Sequence, residues 1–394
     1  MSIPSAYFGL HIHRATSTTP WPTVPFGAWR LIAAYVEWPW LEPRRGEWHF
    51  ETLDAEISLA EKKGVEVMIP LAYTPTWASA RPRERPRSYP ALPGLAAEPK
   101  HMDDWRTYVS TVANRYAGRV RYYEIWNEPN LREFFTGTTE QMVALSREAC
   151  RILKTVDPRI VVISPSPTLE SGVFWLGEFL SKGGGECVDV IGYHFYVSPL
   201  PPEAMVPLIA RVKRVLSTHG VAGKPLWNTE TGWYIANDQT AGLPERGRNT
   251  NKALDQREAA AYVARSYILG WAAGIRRFYW YSWDNKETGL TEPDGRSVKE
   301  PARAYAAVYN WLVGGRLGSC SRDDAGTWTC ALVRKGGATG TILWNPDRTL
   351  SITLPESSEL RRVHDLDGGT RVLSARAEVH VGPSPILVER DRVQ

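Results

Sequence analysis

Between residues 1 and 314 the chain keeps repeating one pairing: a short apolar run, then a stretch whose apolar residues recur every three or four positions. The runs at 7–11, 28–33, 65–71, 121–125, 160–164, 188–194, 224–230 and 277–283 read as strands, because short apolar runs bounded by turn residues suit strands buried on both faces. Most are separated by helical stripes. One covers 52–63 and ends at Gly64; another carries Trp105, Tyr108, Val109, Val112, Ala113 and Tyr116. A third opens on Thr138 with Gln141 three residues on, the spacing of a capping box. Others cover 205–216, 255–273 and the stretch through Tyr305 to Leu312. Parallel strands need crossovers of this length, and eight of them close a sheet into a (β/α)8 TIM barrel, an α/β fold. Little room lies between the first two strands, so the first crossover is expected to be irregular.

After Gly314-Gly315 the period changes. Runs at 327–333, 339–344, 349–354, 361–366, 377–381 and 385–389 are separated by Asp, Gly and Pro, with no helical pattern among them. A small C-terminal antiparallel β-sandwich domain over 315–394 is expected, beside a catalytic barrel over 1–314. Cys320 and Cys330 flank a hairpin-like turn and are either bridged or two buried thiols. Cys150 and Cys187 read as structural.

The net charge of +4 on 394 residues argues for neither nucleic acid nor an anionic membrane as partner. No apolar run reaches the roughly 18 residues of a membrane span. Residues 1–5 lack a basic segment followed by an apolar one, so the protein either stays inside or begins after a removed leader. The telling composition is 17 Trp and 17 Tyr against 9 Phe. Flat rings with polar edges suit stacking on sugars, although most of them are expected in the core.

In a barrel of this kind, polar residues at the C-terminal strand ends are read as functional first. Trp126-Asn127-Glu128-Pro129 ends the fourth strand and Trp227-Asn228-Thr229-Glu230 the seventh. Singly, Glu128 reads as well as a helix cap and Glu230 as a rim ion pair. Jointly they form a pair of carboxylates able to act on a glycosidic bond. Retention of configuration needs them about 5–5.5 Å apart, inversion about 6.5–9.5 Å.

The two motifs resemble the clan A glycoside hydrolases, whose barrels carry the acid/base and the nucleophile on these strands. Residues 34–50, with Trp38, Glu42-Pro43 and Gly46, are similar to the turn after the second strand in that clan. Pro75-Thr76-Trp77 and the C-terminal β domain point towards family 39, including its bacterial exopolysaccharide endoglycosidases. The resemblance implies Glu128 as acid/base and Glu230 as retaining nucleophile. It further implies that Asn127 binds the sugar 2-hydroxyl, that Arg30 keeps Glu230 ionised and that Tyr196 donates to it beside His194. Trp283 would floor the reacting sugar's subsite, with Trp126 and Trp77 among the substrate-binding residues. The clan's small-residue signature in the first crossover is missing, and His11 and His13 carry no assigned role.

The alternating Arg81, Arg83, Arg85 and Arg87 read as solvated charge on a Pro-stiffened loop, or as a clamp for an anionic sugar. No metal-ligand cluster stands out, and catalysis by paired carboxylates requires no cofactor. The expected partner of a monomer is an oligo- or polysaccharide. Rival readings are an exo-acting β-xylosidase-like enzyme, a transglycosylase and a non-catalytic polysaccharide-binding protein.

Overall fold

The computed structural model describes residues 1–238, 253–354, 361–373 and 377–390. The polar loop expected between Glu230 and about Asn251 lies outside them from residue 239 on.

Strands β1 (Phe8–Leu10) and β2 (Ala28–Arg30) pair in parallel with no helix between them, the irregular crossover that the spacing predicts. A short α1 (Trp38–Leu41) and then α2 (Glu51–Lys63) follow, and Gly64 closes α2 with φ 67°. At that left-handed position glycine avoids the Cβ clash. The chain continues through β3 (Glu66–Leu71), α3 (Met102–Arg115), β4 (Tyr122–Ile125) and α4 (Thr139–Val156). Thr138 and Gln141 form the full reciprocal capping box at the start of α4. Then come β5 (Val161–Ile163), α5 (Leu169–Ser181), β6 (Ile191–His194), α6 (Met205–Thr218), β7 (Leu226–Thr231), α7 (Gln256–Ala272), β8 (Ile275–Trp280) and α8 (Glu300–Leu312). The strand order β5-β4-β3-β2-β1-β8-β7-β6 is that of a closed ring, and a parallel bridge from Ile163 to Val190 joins its two ends.

Within the barrel, two expectations needed revision. Helix α5 was not foreseen, and β8 stops at Trp280, so Trp283 sits in the following loop rather than on the strand.

Every second residue of a barrel strand points inward, and those residues stack in layers. Ala28, Met68, Tyr122, Ile163, Val190, Trp227 and Tyr279 form one buried cluster inside the barrel. Gly9 belongs to it too: a Cβ there would lie 2.4 Å from the Tyr279 ring. One inward step further along the strands, the side chains change character. Arg30 stands two residues beyond Ala28, Glu124 two beyond Tyr122, and His11 two beyond Gly9. The apolar floor thus ends where a polar mouth begins.

Beyond Gly315 the described residues form eight strands: β9 (Arg316–Arg322), β10 (Trp328–Val333), β11 (Thr339–Trp344), β12 (Leu350–Thr353), β13 (Arg361–His364), β14 (Thr370–Leu373), β15 (Glu378–Val381) and β16 (Ile386–Arg390). Six form one sheet in the order β14-β13-β16-β11-β10-β9, and β12 pairs with β15 in a second. Leu343, Val363, Val379, Val381 and Val388 pack between them, making the sandwich. Cys320 and Cys330 stand opposite each other on β9 and β10 and are disulfide-bonded. The domain shares a core with the barrel through Cys330, Leu332, Ile342 and Trp344. The Trp344 indole also donates to Glu203 of the barrel at 2.8 Å.

Gly9→Ala should lower the unfolding free energy by about 1–3 kcal/mol, since the added methyl meets a ring that cannot move aside. Urea unfolding monitored by tryptophan fluorescence measures this, and an unchanged midpoint would contradict the packing described.

Candidate active site

Arg30 is completely buried and occupies the centre of the polar mouth. Its Nε donates to Glu124 Oε2 at 2.6 Å, Nη1 to Glu230 Oε2 at 2.7 Å and Nη2 to Asn127 Oδ1 at 2.8 Å. Burial alone would lower its pKa, but the adjoining Glu124 and Glu230 raise it above its usual value. The planar fork holds three side chains from β4 and β7 in fixed relation, which a lysine could not reproduce. Ser166 donates to the other oxygen of Glu124 at 2.5 Å, and Thr229 donates to Ser166 at 2.8 Å.

His11 completes the base of this cluster. Its Nδ1 lies 3.0 Å from the Trp280 carbonyl, which can only accept, so Nδ1 carries the proton. Nε2 then accepts from Arg30 Nη1 at 3.2 Å. Burial, and next the charge of Arg30, hold the imidazole pKa well below its usual value, so the ring is neutral.

The chain leaves β4 through two strained residues, Trp126 at φ 62° and Glu128 at φ 43°, either side of Asn127. Left-handed backbone is uncommon for such side chains and persists where the surroundings fix it. Here the Glu128 N–H donates to the Ser166 carbonyl at 3.1 Å. The turn aims the Glu128 carboxyl at β6, where Oε1 lies 2.8 Å from His194 Nδ1. From β7, Glu230 presents Oε1 to the Tyr196 hydroxyl at 2.9 Å. Ligand atoms of Glu128, His194 and Glu230 all lie within 4.8 Å of one another.

The two carboxyl groups have different surroundings. Burial raises the Glu128 pKa to about 7, against weaker opposition from Arg30 and Thr168. Burial also raises that of Glu230, opposed by nearby positive charge and by the Tyr196 hydrogen bond. His194 is itself neutral, lowered by burial to about 4, so Arg30 and Tyr196 are the groups that favour the Glu230 anion. The trio also has donor types that a divalent cation accepts, but a guanidinium 2.7 Å from Glu230 already neutralises that carboxylate.

Of the residues singled out in the sequence, Glu128, Glu230, Asn127, Arg30, His194 and Tyr196 meet in one cluster. Trp283 lies beside it, its backbone N–H donating to the His11 carbonyl at 2.8 Å. Two of the expected substrate-binding residues do not face the carboxylates. Trp126 is fully buried, its indole donating to the Phe134 carbonyl at 2.9 Å, so neither ring face is open to a sugar. Trp77 donates to the Glu42 carbonyl and packs between Trp38 and Arg45. Both support the wall of the site. Arg81 is likewise committed to Glu84 and Glu98 and braces its loop. Glu124 and His11 are the residues the sequence reading missed, although counting inward positions from Tyr122 and Gly9 reaches them.

Fold and site together form a (β/α)8 barrel with two carboxyl groups converging at its mouth. Residues 44–234 match the family model for glycosyl hydrolases family 39. A β-xylosidase of Caldicellulosiruptor saccharolyticus is 29% identical over 176 residues, which cover 42% of this chain and 35% of that protein. The aligned part thus spans about a third of that relative's length. A family 39 glycoside hydrolase from Bacteroides cellulosilyticus superposes with a TM-score of 0.75 at 19% identity, covering 99% of this chain and 82% of that one. A monomeric β-xylosidase from Caulobacter crescentus gives 0.66 at 18% identity, covering 94% and 90%. The chain is similar to the family 39 glycoside hydrolases in fold, and the segment that matches the family model contains Glu128 and Glu230.

Arg30→Met should lower the unfolding free energy by about 3–5 kcal/mol at pH 8, because it leaves carboxylates buried without their cation. Without that cation the Glu230 pKa rises further above its unfolded value. The loss is therefore full at high pH and shrinks as pH falls towards about 4, where the unfolded carboxyl is protonated as well. Denaturant titrations at the two pH values measure this, and a loss independent of pH would contradict it.

Proposed function

We propose that this chain is a retaining glycoside hydrolase, endo-acting on a bacterial exopolysaccharide, with Glu230 as nucleophile and Glu128 as acid/base. The observation that carries the retaining reading is the approach of the Glu128 and Glu230 oxygens to within 4.8 Å. That separation suits direct attack, with no room for an intervening water on the opposite face of the sugar.

In the first step the Glu230 carboxylate attacks the anomeric carbon while Glu128 gives its proton to the glycosidic oxygen. The carbon–oxygen bond breaks, the leaving sugar departs as an alcohol and an ester to Glu230 forms. In the second step Glu128, now ionised, takes a proton from water. The oxygen of that water attacks the same carbon, the ester breaks and the configuration is restored. A raised pKa fits Glu128 for both transfers near neutral pH, and Arg30 with Tyr196 keeps Glu230 anionic. Asn127 has committed Oδ1 to Arg30, so its Nδ2 is the donor for a sugar 2-hydroxyl. His194 Nε2 and Trp283 Nε1 are buried with no partner among the described residues, which suits donors and acceptors completed by sugar hydroxyls.

A second reading, exo-acting β-xylosidase, is favoured by the names of the similar proteins. The sizes of the first products separate the two: internal cuts release a spread of fragments, and exo cleavage releases single units. The paired roles themselves are tested by substitution. Glu230→Gln should cut kcat by at least about a thousandfold, while Glu128→Ala should retain far more activity on dinitrophenyl than on alkyl glycosides. Equal losses on both leaving groups would remove Glu128 as the acid. For the parent, kcat/KM should fall above about pH 7 as Glu128 loses its proton, and Glu128→Ala should lack that alkaline limb. An unchanged limb in the variant assigns it to another group.

A further inference from the structure

A line of aromatic rings runs from Trp126, beside the Asn127–Glu128 turn, to the surface over the loops after β2 and β3. Tyr73 meets Trp126 at 6.2 Å and Tyr89 at 5.9 Å between ring centroids. Tyr89 meets Trp40 at 5.9 Å, and Trp40 meets Tyr35 at 5.7 Å. Burial falls steadily along this line: Tyr73 is 1% exposed and Tyr35 is 62% exposed. Tyr89 joins the buried and exposed halves of the line, touching Tyr73 on one side and Trp40 on the other.

Tyr35 is held in place at a cost. It has φ 62°, and Ala33 two residues earlier has φ 55°. The loop is fixed by the buried carboxylate of Glu37, which accepts from the Ala33 N–H at 2.6 Å and the Val36 N–H at 3.1 Å. Core packing does not explain this arrangement, because the side chain it presents is mostly in solvent. Backbone strain maintained under an exposed aromatic ring at the mouth of a barrel is what a ligand platform requires.

We propose that Tyr35, backed by Trp40 and Tyr89, is a stacking platform for a sugar unit beyond the bond that is cleaved, which makes it a determinant of chain-length preference. The inference rests on the glycosidase reading and extends it along the β2–β3 side of the cleft. The occupant is a pyranose ring because the line of rings adjoins, through Tyr73 and Trp126, the turn that carries Glu128. The platform's rings also offer a flat apolar face together with hydroxyl and indole edges, the match for a ring whose faces are apolar and whose rim is polar.

The test uses the full chain, 4-nitrophenyl β-xyloside and xylo-oligosaccharides of two to six units. For the parent, kcat/KM should rise with chain length. In Tyr35→Ala the ratio of kcat/KM for the hexasaccharide to that for the aryl xyloside should drop about tenfold, as for loss of one ring contact, and Tyr35→Phe should largely keep it. A ratio that Tyr35→Ala leaves alone overturns the platform, and so does a parent with no gain from length. If the parent cleaves no member of the series, the xyloside reading fails, and calorimetric binding of xylohexaose to Glu230→Gln with and without Tyr35→Ala decides the platform separately. Weaker binding in the double variant supports it; equal or undetectable binding in both contradicts it.

Discussion

The site depends on one buried guanidinium. Without the carboxylates that surround it Arg30 would be an uncompensated buried charge, and Arg30 in turn favours the Glu230 anion against burial. The strand period places Arg30 on the inner face, one layer above the apolar floor. Its fork geometry then fixes Glu124, Glu230 and Asn127 at once. What distinguishes the two central carboxyl groups follows from this: Glu230 touches the cation, whereas Glu128 is turned by two left-handed residues towards a neutral imidazole. Burial raises the pKa of both glutamates, and only at Glu230 do a guanidinium and a tyrosine hydroxyl in direct contact oppose it.

Support for this polar cluster comes from beneath and behind. The inward cluster that includes Tyr279 and Trp227 keeps water away from its lower side. Trp126, Trp105 and Tyr73 pack behind the Asn127–Glu128 turn and hold its strained backbone. The C-terminal sandwich is joined to the barrel by a common core and by the Trp344–Glu203 contact, on the side of α7.

Much of this was legible in the sequence for identifiable reasons. Strands buried on both faces leave continuous apolar runs, and the motifs around Glu128 and Glu230 mark where those runs reach the mouth. Arg30 was reached through the family resemblance alone, because the apolar run 28–33 continues past it although the paired strand ends there. Glu124 was hidden because it sits inside an apolar run, where only counting the period from Tyr122 shows that it points inward. Helix α5 escaped because Gly172 and Gly177 interrupt its pattern, and β9 because its Arg- and Ser-rich alternation is largely exposed at a sheet edge. Trp126 misled by proximity: closeness in sequence to Glu128 does not carry over when the backbone turns each side chain to a different face, and Trp77, named on the family resemblance, is taken up by Trp38, Arg45 and the Glu42 carbonyl. Strand β8 looked longer than it is because its aromatic run continues after the pairing stops.

The central claim is that Glu230 forms a bond to the sugar. Incubating the protein with a 2-deoxy-2-fluoro glycoside bearing an activated leaving group, then digesting and analysing it by mass spectrometry, tests that claim most directly. The account predicts one added fluoroglycosyl group, on the peptide that contains Glu230 and nowhere else. Turnover with no trapped adduct and an inverted product, or an adduct on a different carboxylate, would contradict it.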